Sequence, residues 1–174
     1  MNPLDSAVLP AARPTEPRFM ASTPAIGTVE IGPIFVALWR GAVIRESFDV
    51  QSAGLTEVVR AHPAGAAFLC VIEVTSKAPN DELRRASIEM VEAHGPRLRC
   101  LAVVIEGEGF RAAVNRGVIT GLILFARHIH CPVSVFSDVR DAAAWMQKHL
   151  ALPPVEDVAA AVEAVRARLP PLRD

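Results

Sequence analysis

The chain has 174 residues, of which 51% are hydrophobic and 21% charged, so it can bury the core of one ordinary globular domain. Its 18 Lys and Arg nearly balance its 19 Asp and Glu. The formal net charge of -1 excludes the overall basic field by which a protein attracts nucleic acid or an anionic membrane.

The first 25 residues are predicted to form a disordered, proline-rich leader. Prolines are spaced through this stretch with Ala, Ser and Thr between them, a composition that disfavours both helices and strand ladders. The stretch also lacks the cationic start and apolar run of a signal peptide. We therefore expect a cytoplasmic protein whose folded part begins at about residue 26.

The next elements are predicted to be a β-hairpin and a helix–strand unit. Residues 28–31 alternate, Gly32-Pro33 breaks the chain, and residues 34–39 are apolar enough for a central strand. A helical stretch from about 46 to 62 follows, and then a strand from 66 to 74 that is apolar on both faces. Burial of both faces of that strand requires covering helices.

The helix–strand unit then repeats. The predicted elements are a helix from 79 to 94, a strand from 100 to 106, a helix from 110 to about 128, a strand from 133 to 136 and a helix from 138 to 150. The order β-β-α-β-α-β-α-β-α over residues 26–151 predicts an α/β domain. Its central sheet is expected to be mostly parallel, with the first strand added antiparallel at one side.

Two apolar surfaces remain to be covered in this arrangement. Residues 154–170 are predicted to form an amphipathic C-terminal helix with a narrow valine seam, and the helix at 110–128 is apolar nearly all round. The seam packs either against that helix in the same chain or against a second subunit, as in a homodimer. The candidate interface residues are Ile119, Ile123, Val158, Val162 and Val165.

Three short motifs carry a family resemblance. They are Trp39-Arg40-Gly41, the helix start at residues 109–113, and the run from 135–139 to 143–145. Together with the element order, they resemble the STAS-like superfamily, and more narrowly its anti-anti-sigma-like (SpoIIAA-like) bacterial branch, over about residues 27–150. The resemblance implies a binding or regulatory module rather than an enzyme.

The chain departs from the signalling members of that family at their phosphorylated serine. Those members carry an Asp-Ser-Ser-Gly-Leu run at the start of the helix after the central strand. The corresponding residues here are 74–79, where Thr75 and Ser76 supply hydroxyl groups but the Asp and the Gly are missing. Whether Thr75 or Ser76 is phosphorylated stays open.

The predicted binding site lies at the carboxyl ends of the parallel strands, where ligands gather in open α/β sheets. The Gly107-Glu108-Gly109 turn could present N–H groups to an anion, although the neighbouring carboxylates oppose this and a tight strand-to-helix turn is the simpler interpretation. The candidate ligand- or partner-binding residues are Arg40, Glu73, Thr75, Ser76, Lys77, Gly107, Gly109 and Arg111.

No catalytic or metal-binding residue is predicted. Glu73, Glu106 and Asp138 could converge as acid/base groups at the strand ends, but no nucleophile with a histidine partner accompanies them. The histidines at 62, 94, 128 and 149 fall in the last turns of predicted helices, where they suit capping better than metal binding. The three cysteines lie in or beside apolar runs and are interpreted as buried side chains.

The leading functional prediction is a non-enzymatic regulatory or scaffold module that binds a protein partner, without cofactor, metal, nucleic acid or integral membrane segment. One alternative is a carrier of a small ligand such as a lipid, which rests on fold analogy alone. The other alternative is an enzyme that uses the strand-end carboxylates.

Overall fold

The computed structural model describes residues 15–107 and 129–171, and within these ranges the chain forms one six-stranded sheet with four α-helices. The strands are β1 (Arg18–Ser22), β2 (Ile26–Ile31), β3 (Ile34–Trp39), β4 (Ala66–Ile72), β5 (Leu98–Ile105) and β6 (Val133–Phe136). The helices are α1 (Arg45–Ala61), α2 (Asp81–His94), α3 (Val139–Met146) and α4 (Val155–Arg168), with a short 3-10 helix at Gly95–Arg97. The predicted α/β fold class is confirmed.

The strands are arranged in the sheet in their order along the chain. β1, β2 and β3 pair antiparallel, whereas β3, β4, β5 and β6 pair parallel. The predicted hairpin is β2–β3, and its turn contains Gly32 at φ +54°, a backbone conformation that favours glycine. The sheet is therefore mixed, with its parallel half next to the hairpin.

Two hydrophobic clusters cover the two faces of the sheet. Successive strand residues alternate between them, so that Phe35 and Phe68 face α1 and α2 while Val36 and Leu69 face α3 and α4. The central strands β3 and β4 are buried on both faces, as their continuous apolar sequences predict. Packing of helices on both faces of the sheet fixes the position at which each parallel strand ends.

The first strand corrects the prediction of a disordered leader through residue 25. Arg18–Ser22 forms β1, which adds to the edge of β2. The Thr28 side chain of β2 bonds both the N–H and the carbonyl of Ala21, and Arg168 of α4 lies 3.2 Å from the centre of the Phe19 ring. Proline-rich composition concealed this strand because the contacts that hold it come from distant parts of the chain.

The C-terminal helix packs within its own chain. Val158, Val162 and Val165 are buried against the sheet, chiefly on β2 and β3, and beside α3. The prediction that these valines form an interface with a second subunit is therefore corrected, whereas a contact with the helix predicted at 110–128 lies outside the described residues. The apolar surface that covers the seam is formed by β2, β3 and α3. The periodicity of the C-terminal helix alone could not predict which surface that would be.

The other elements differ from prediction mainly at their ends. α3 stops at Met146 rather than continuing to residue 150, and α4 covers Val155–Arg168 within the predicted 154–170. The predicted helix at 110–128, including Ile119 and Ile123, lies outside the described residues.

Candidate functional site

The parallel register brings three charged residues side by side. Trp39, Ile72 and Ile105 are aligned across β3, β4 and β5 as the last residues of their strands. The next residue of each strand is therefore Arg40, Glu73 or Glu106, and the ladder continues through Glu73 N–H to Trp39 O and Glu106 N–H to Ile72 O. The candidate site at the strand ends is thus a consequence of sheet register.

These three residues join Arg166 of α4 in an ion cluster. Arg40 donates from Nε and Nη2 to the two oxygens of Glu73, at 2.7 and 3.1 Å. Arg166 pairs with Glu73 through Nη1, and it donates to both oxygens of Glu106, at 2.6 and 3.1 Å. We call Arg40, Glu73, Glu106 and Arg166 the strand-end ion cluster.

Arg40 of the cluster also caps the C-terminal end of α4. Arg40 Nη1 donates to the carbonyls of Leu169 and Pro170, and Arg40 Nη2 donates to the carbonyl of Arg166. Carbonyls at the end of a helix have no partner within the helix, and a guanidinium complements their negative partial charge. A residue in the first half of the chain therefore fixes the last helix.

Burial makes the pairing in the cluster necessary. Glu73 is only 8% exposed, and an unpaired carboxylate at that depth would be costly. Hydrogen bonding to Glu73 raises the pKa of Arg40 against the opposing effect of burial. Burial lowers the pKa of Arg166, but hydrogen bonds to Glu106 and the surrounding carboxylates outweigh it and give a net rise.

Two loops lie side by side directly beyond the cluster. Residues 40–44 connect β3 to α1, and residues 73–80 connect β4 to α2. Thr75 Oγ1 donates to the carbonyl of Arg40 at 2.8 Å, and Ser76 Oγ donates to that of Gly41 at 3.1 Å. A parallel bridge between Ala42 and Lys77 continues the contact. We call these two segments the strand-end loop pair.

The loop pair exposes apolar side chains. Val74 is 74% exposed and Ile44 is 50% exposed, and they are the large hydrophobic residues that the described ranges leave exposed. Lys77 is exposed as well and makes no ion pair with a described carboxylate. The surface thus combines apolar groups with a cation on a hydrogen-bonded scaffold.

The structure brings together Arg40, Glu73, Thr75, Ser76 and Lys77 of the predicted site. Gly107 follows Glu106 at φ +106°, consistent with a turn that requires glycine. Asp138 is not in the ion cluster: its side chain caps the start of α3 by accepting from two backbone N–H groups, Arg140 and Asp141. The remaining predicted residues, Gly109 and Arg111, lie outside the described ranges.

Sequence reasoning missed Arg166 and Ile44. Arg166 lies in the last turn of α4, where a cation is expected because it complements the helix dipole. The local sequence pattern therefore gave no indication that Arg166 pairs with Glu73 and Glu106. Ile44 directly precedes α1. An apolar residue in such a short loop is a sequence signal by which an exposed hydrophobic side chain could have been predicted.

The cysteines and the described histidines are not part of the strand-end ion cluster. Burial raises the pKa of Cys70 to about 12, that of Cys100 to about 12 and that of Cys131 to about 11, which keeps them as thiols at neutral pH. His94 is the last residue of α2, and His62 caps α1 and contacts Glu30 at 2.8 Å. The described residues contain no group of side chains suited to hold a metal ion.

No family model, curated protein or solved structure matches this chain. Among the described residues, none of the helices is both long and apolar enough to cross a membrane.

Proposed function

We propose that this chain is a STAS-like, non-enzymatic regulatory or scaffold module that binds a protein partner through the strand-end loop pair. The observation that carries the proposal is the exposure of Val74 and Ile44 on two loops that are tied to each other. Single exposed apolar residues are ordinary on protein surfaces, but here both belong to one composite surface.

The anchoring of the loops supports binding. Backbone and hydroxyl groups hold residues 75–77 against residues 40–42, so little conformational entropy remains to be lost when a partner docks. The ion cluster beneath the loops holds their starting residues, Arg40 and Glu73, in turn. A surface that is ordered before binding suits a recognition module.

The pairing of the carboxylates favours a binding role over acid/base catalysis. Glu73 and Glu106 accept hydrogen bonds from two guanidinium groups, so their oxygens are occupied by the chain's own cations. A general acid or base needs reach to a substrate proton. Each oxygen of Glu73 and Glu106 instead contacts a guanidinium group of the chain itself.

The chemistry of the loop pair describes the expected partner. A complementary protein surface would bury Val74 and Ile44 in an apolar contact and place a carboxylate opposite Lys77. Full burial of one valine contributes roughly 1.5 kcal/mol, about tenfold in affinity.

Photo-cross-linking in the native host followed by reconstitution tests the proposal. A photoreactive residue at position 74 should capture a protein, whereas one at exposed Ala144 on α3 serves as the matched control. The captured protein is then purified, and Val74→Ser should weaken its binding about tenfold while Ala144→Ser leaves it unchanged. Equal capture at both positions, or an unchanged Kd for Val74→Ser, would contradict the proposal.

A further inference from the structure

A groove with several arginines lies at the opposite end of the parallel strands. α1 and α2 end there side by side, and α2 continues into the 3-10 helix. The groove encloses about 370 Å³ between them. Its charged and titratable lining residues are Arg60 from α1, Glu92 and His94 from α2, and Arg97 from the 3-10 helix.

A third arginine lies on the turn that follows α1. Arg99 lies near the start of β5, and its side chain covers the turn that follows α1. Its Nη2 donates to the carbonyl of Ala64 at 3.4 Å, and a Cβ at Gly65 would come within 2.6 Å of its Cγ. Arg60, Arg97 and Arg99 are all exposed. We call the groove together with Arg99 the basic groove.

These guanidinium groups have no acidic partners in the described ranges. None of the ion pairs formed there involves Arg60, Arg97 or Arg99, although Arg40, Arg166 and other arginines are paired. Glu92 is the carboxylate among the described lining residues of the groove. Burial lowers the pKa of His94, so its imidazole is neutral near pH 7 and the arginines determine the charge.

We propose that the basic groove binds an acidic segment of a partner protein, one that presents several Asp or Glu side chains. A guanidinium donates two parallel hydrogen bonds to a carboxylate, and two such groups line one concave surface while a third, on Arg99, covers the neighbouring turn at residues 64–65. A protein segment fits better than a single-stranded nucleic acid because the described lining of the groove contains no Phe, Tyr or Trp on which bases could stack.

Binding of fluorescein-labelled decaglutamate to the full chain, followed by anisotropy at low ionic strength, tests the inference. Arg60→Gln and Arg97→Gln should each weaken binding about threefold, as expected for exposed ion pairs. Glu92→Gln should strengthen it because the opposing carboxylate is removed. Arg85→Gln is the matched control, since Arg85 is an exposed α2 residue outside the groove with the same charge change.

Three results would overturn the inference. One is an equal loss with Arg85→Gln, which would indicate attraction to overall charge. Another is absence of decaglutamate binding by the unmodified chain. The last is tighter binding of a single-stranded oligonucleotide of ten thymidines than of decaglutamate. Val74→Ser should bind decaglutamate normally, so this result is separate from that of the proposed function.

Discussion

The two ends of the parallel strands use arginine in opposite ways. At the carboxyl ends, Arg40 and Arg166 are largely buried and paired with Glu73 and Glu106. At the amino ends, the arginines of the basic groove are exposed and have no described acidic partner. Burial explains the difference, because a buried charge requires a partner and an exposed one does not.

The paired arginines are expected to act in stability and the exposed ones in binding. The paired arginines join β3, β4, β5 and α4, so removing one should change stability. Among the described contacts, the side chains of the basic-groove arginines make one weak hydrogen bond, from Arg99 to the carbonyl of Ala64. These side chains therefore do not join separate elements of the fold as Arg40 and Arg166 do. Changes there should affect binding and leave stability nearly unaltered.

The largest expected effect is that of Arg40→Ala. The substitution removes a bidentate partner of buried Glu73 and three contacts to the terminal carbonyls of α4. We expect the free energy of unfolding to fall by about 3 kcal/mol. Urea denaturation measures the change.

Two controls sharpen that prediction. Arg140→Ala removes an exposed pair with Glu156 and should cost only about 0.5 kcal/mol. Arg97→Ala should fall within about 0.5 kcal/mol of the unmodified chain. If Arg40→Ala were no more destabilising than these controls, the distinction between the two ends would be lost.

The next effect concerns the docking of α4 in its own chain. A Cβ at Gly27 of β2 would lie 2.6 Å from a Val165 methyl group and 3.2 Å from Leu169. Gly27→Ala should therefore destabilise by about 2 kcal/mol, measured by the same denaturation. The double variant with Val165→Ala should lose less than the sum of the two single changes, because the clash is relieved. Strict additivity would contradict packing of α4 on β2.

The smallest expected effect is a pH dependence of stability caused by His94, at the amino ends of the parallel strands. Burial lowers the pKa of His94 in the folded state below its usual 6.5. As the pH falls below that value, the unfolded chain takes up a proton first, so stability falls and then levels off below the folded pKa. His94→Gln should therefore reduce the loss of stability between about pH 7 and about pH 5. An unchanged slope of unfolding midpoint against pH would contradict this.

Sequence pattern predicted most of the fold because its elements carry local signals. The apolar runs of β3 and β4 and the turn at Gly32 identify their structures from neighbouring residues alone. β1 could not be identified in this way, since Phe19 is held by Arg168 from the other end of the chain. The same limit applied to α4, whose seam was visible but whose covering surface on β2 was not.

The candidate site was predictable where topology determines position. Parallel strands place their carboxyl ends together, and that rule selected Arg40, Glu73 and the loop after β4. Arg166 was not predicted because its partners, Glu106 and Glu73, are 60 and 93 residues away in the sequence. The exposed state of Val74 was not predictable either, since its apolar character alone suggested that β4 continued through it.

A map of decaglutamate binding on the full chain by backbone amide NMR tests most directly whether the two ends of the sheet have separate roles. We expect shift changes at residues 60–65 and 92–99, and none at the strand-end loop pair. Changes centred on residues 40–44 and 73–80 would contradict the assignment of separate roles to the two ends of the sheet.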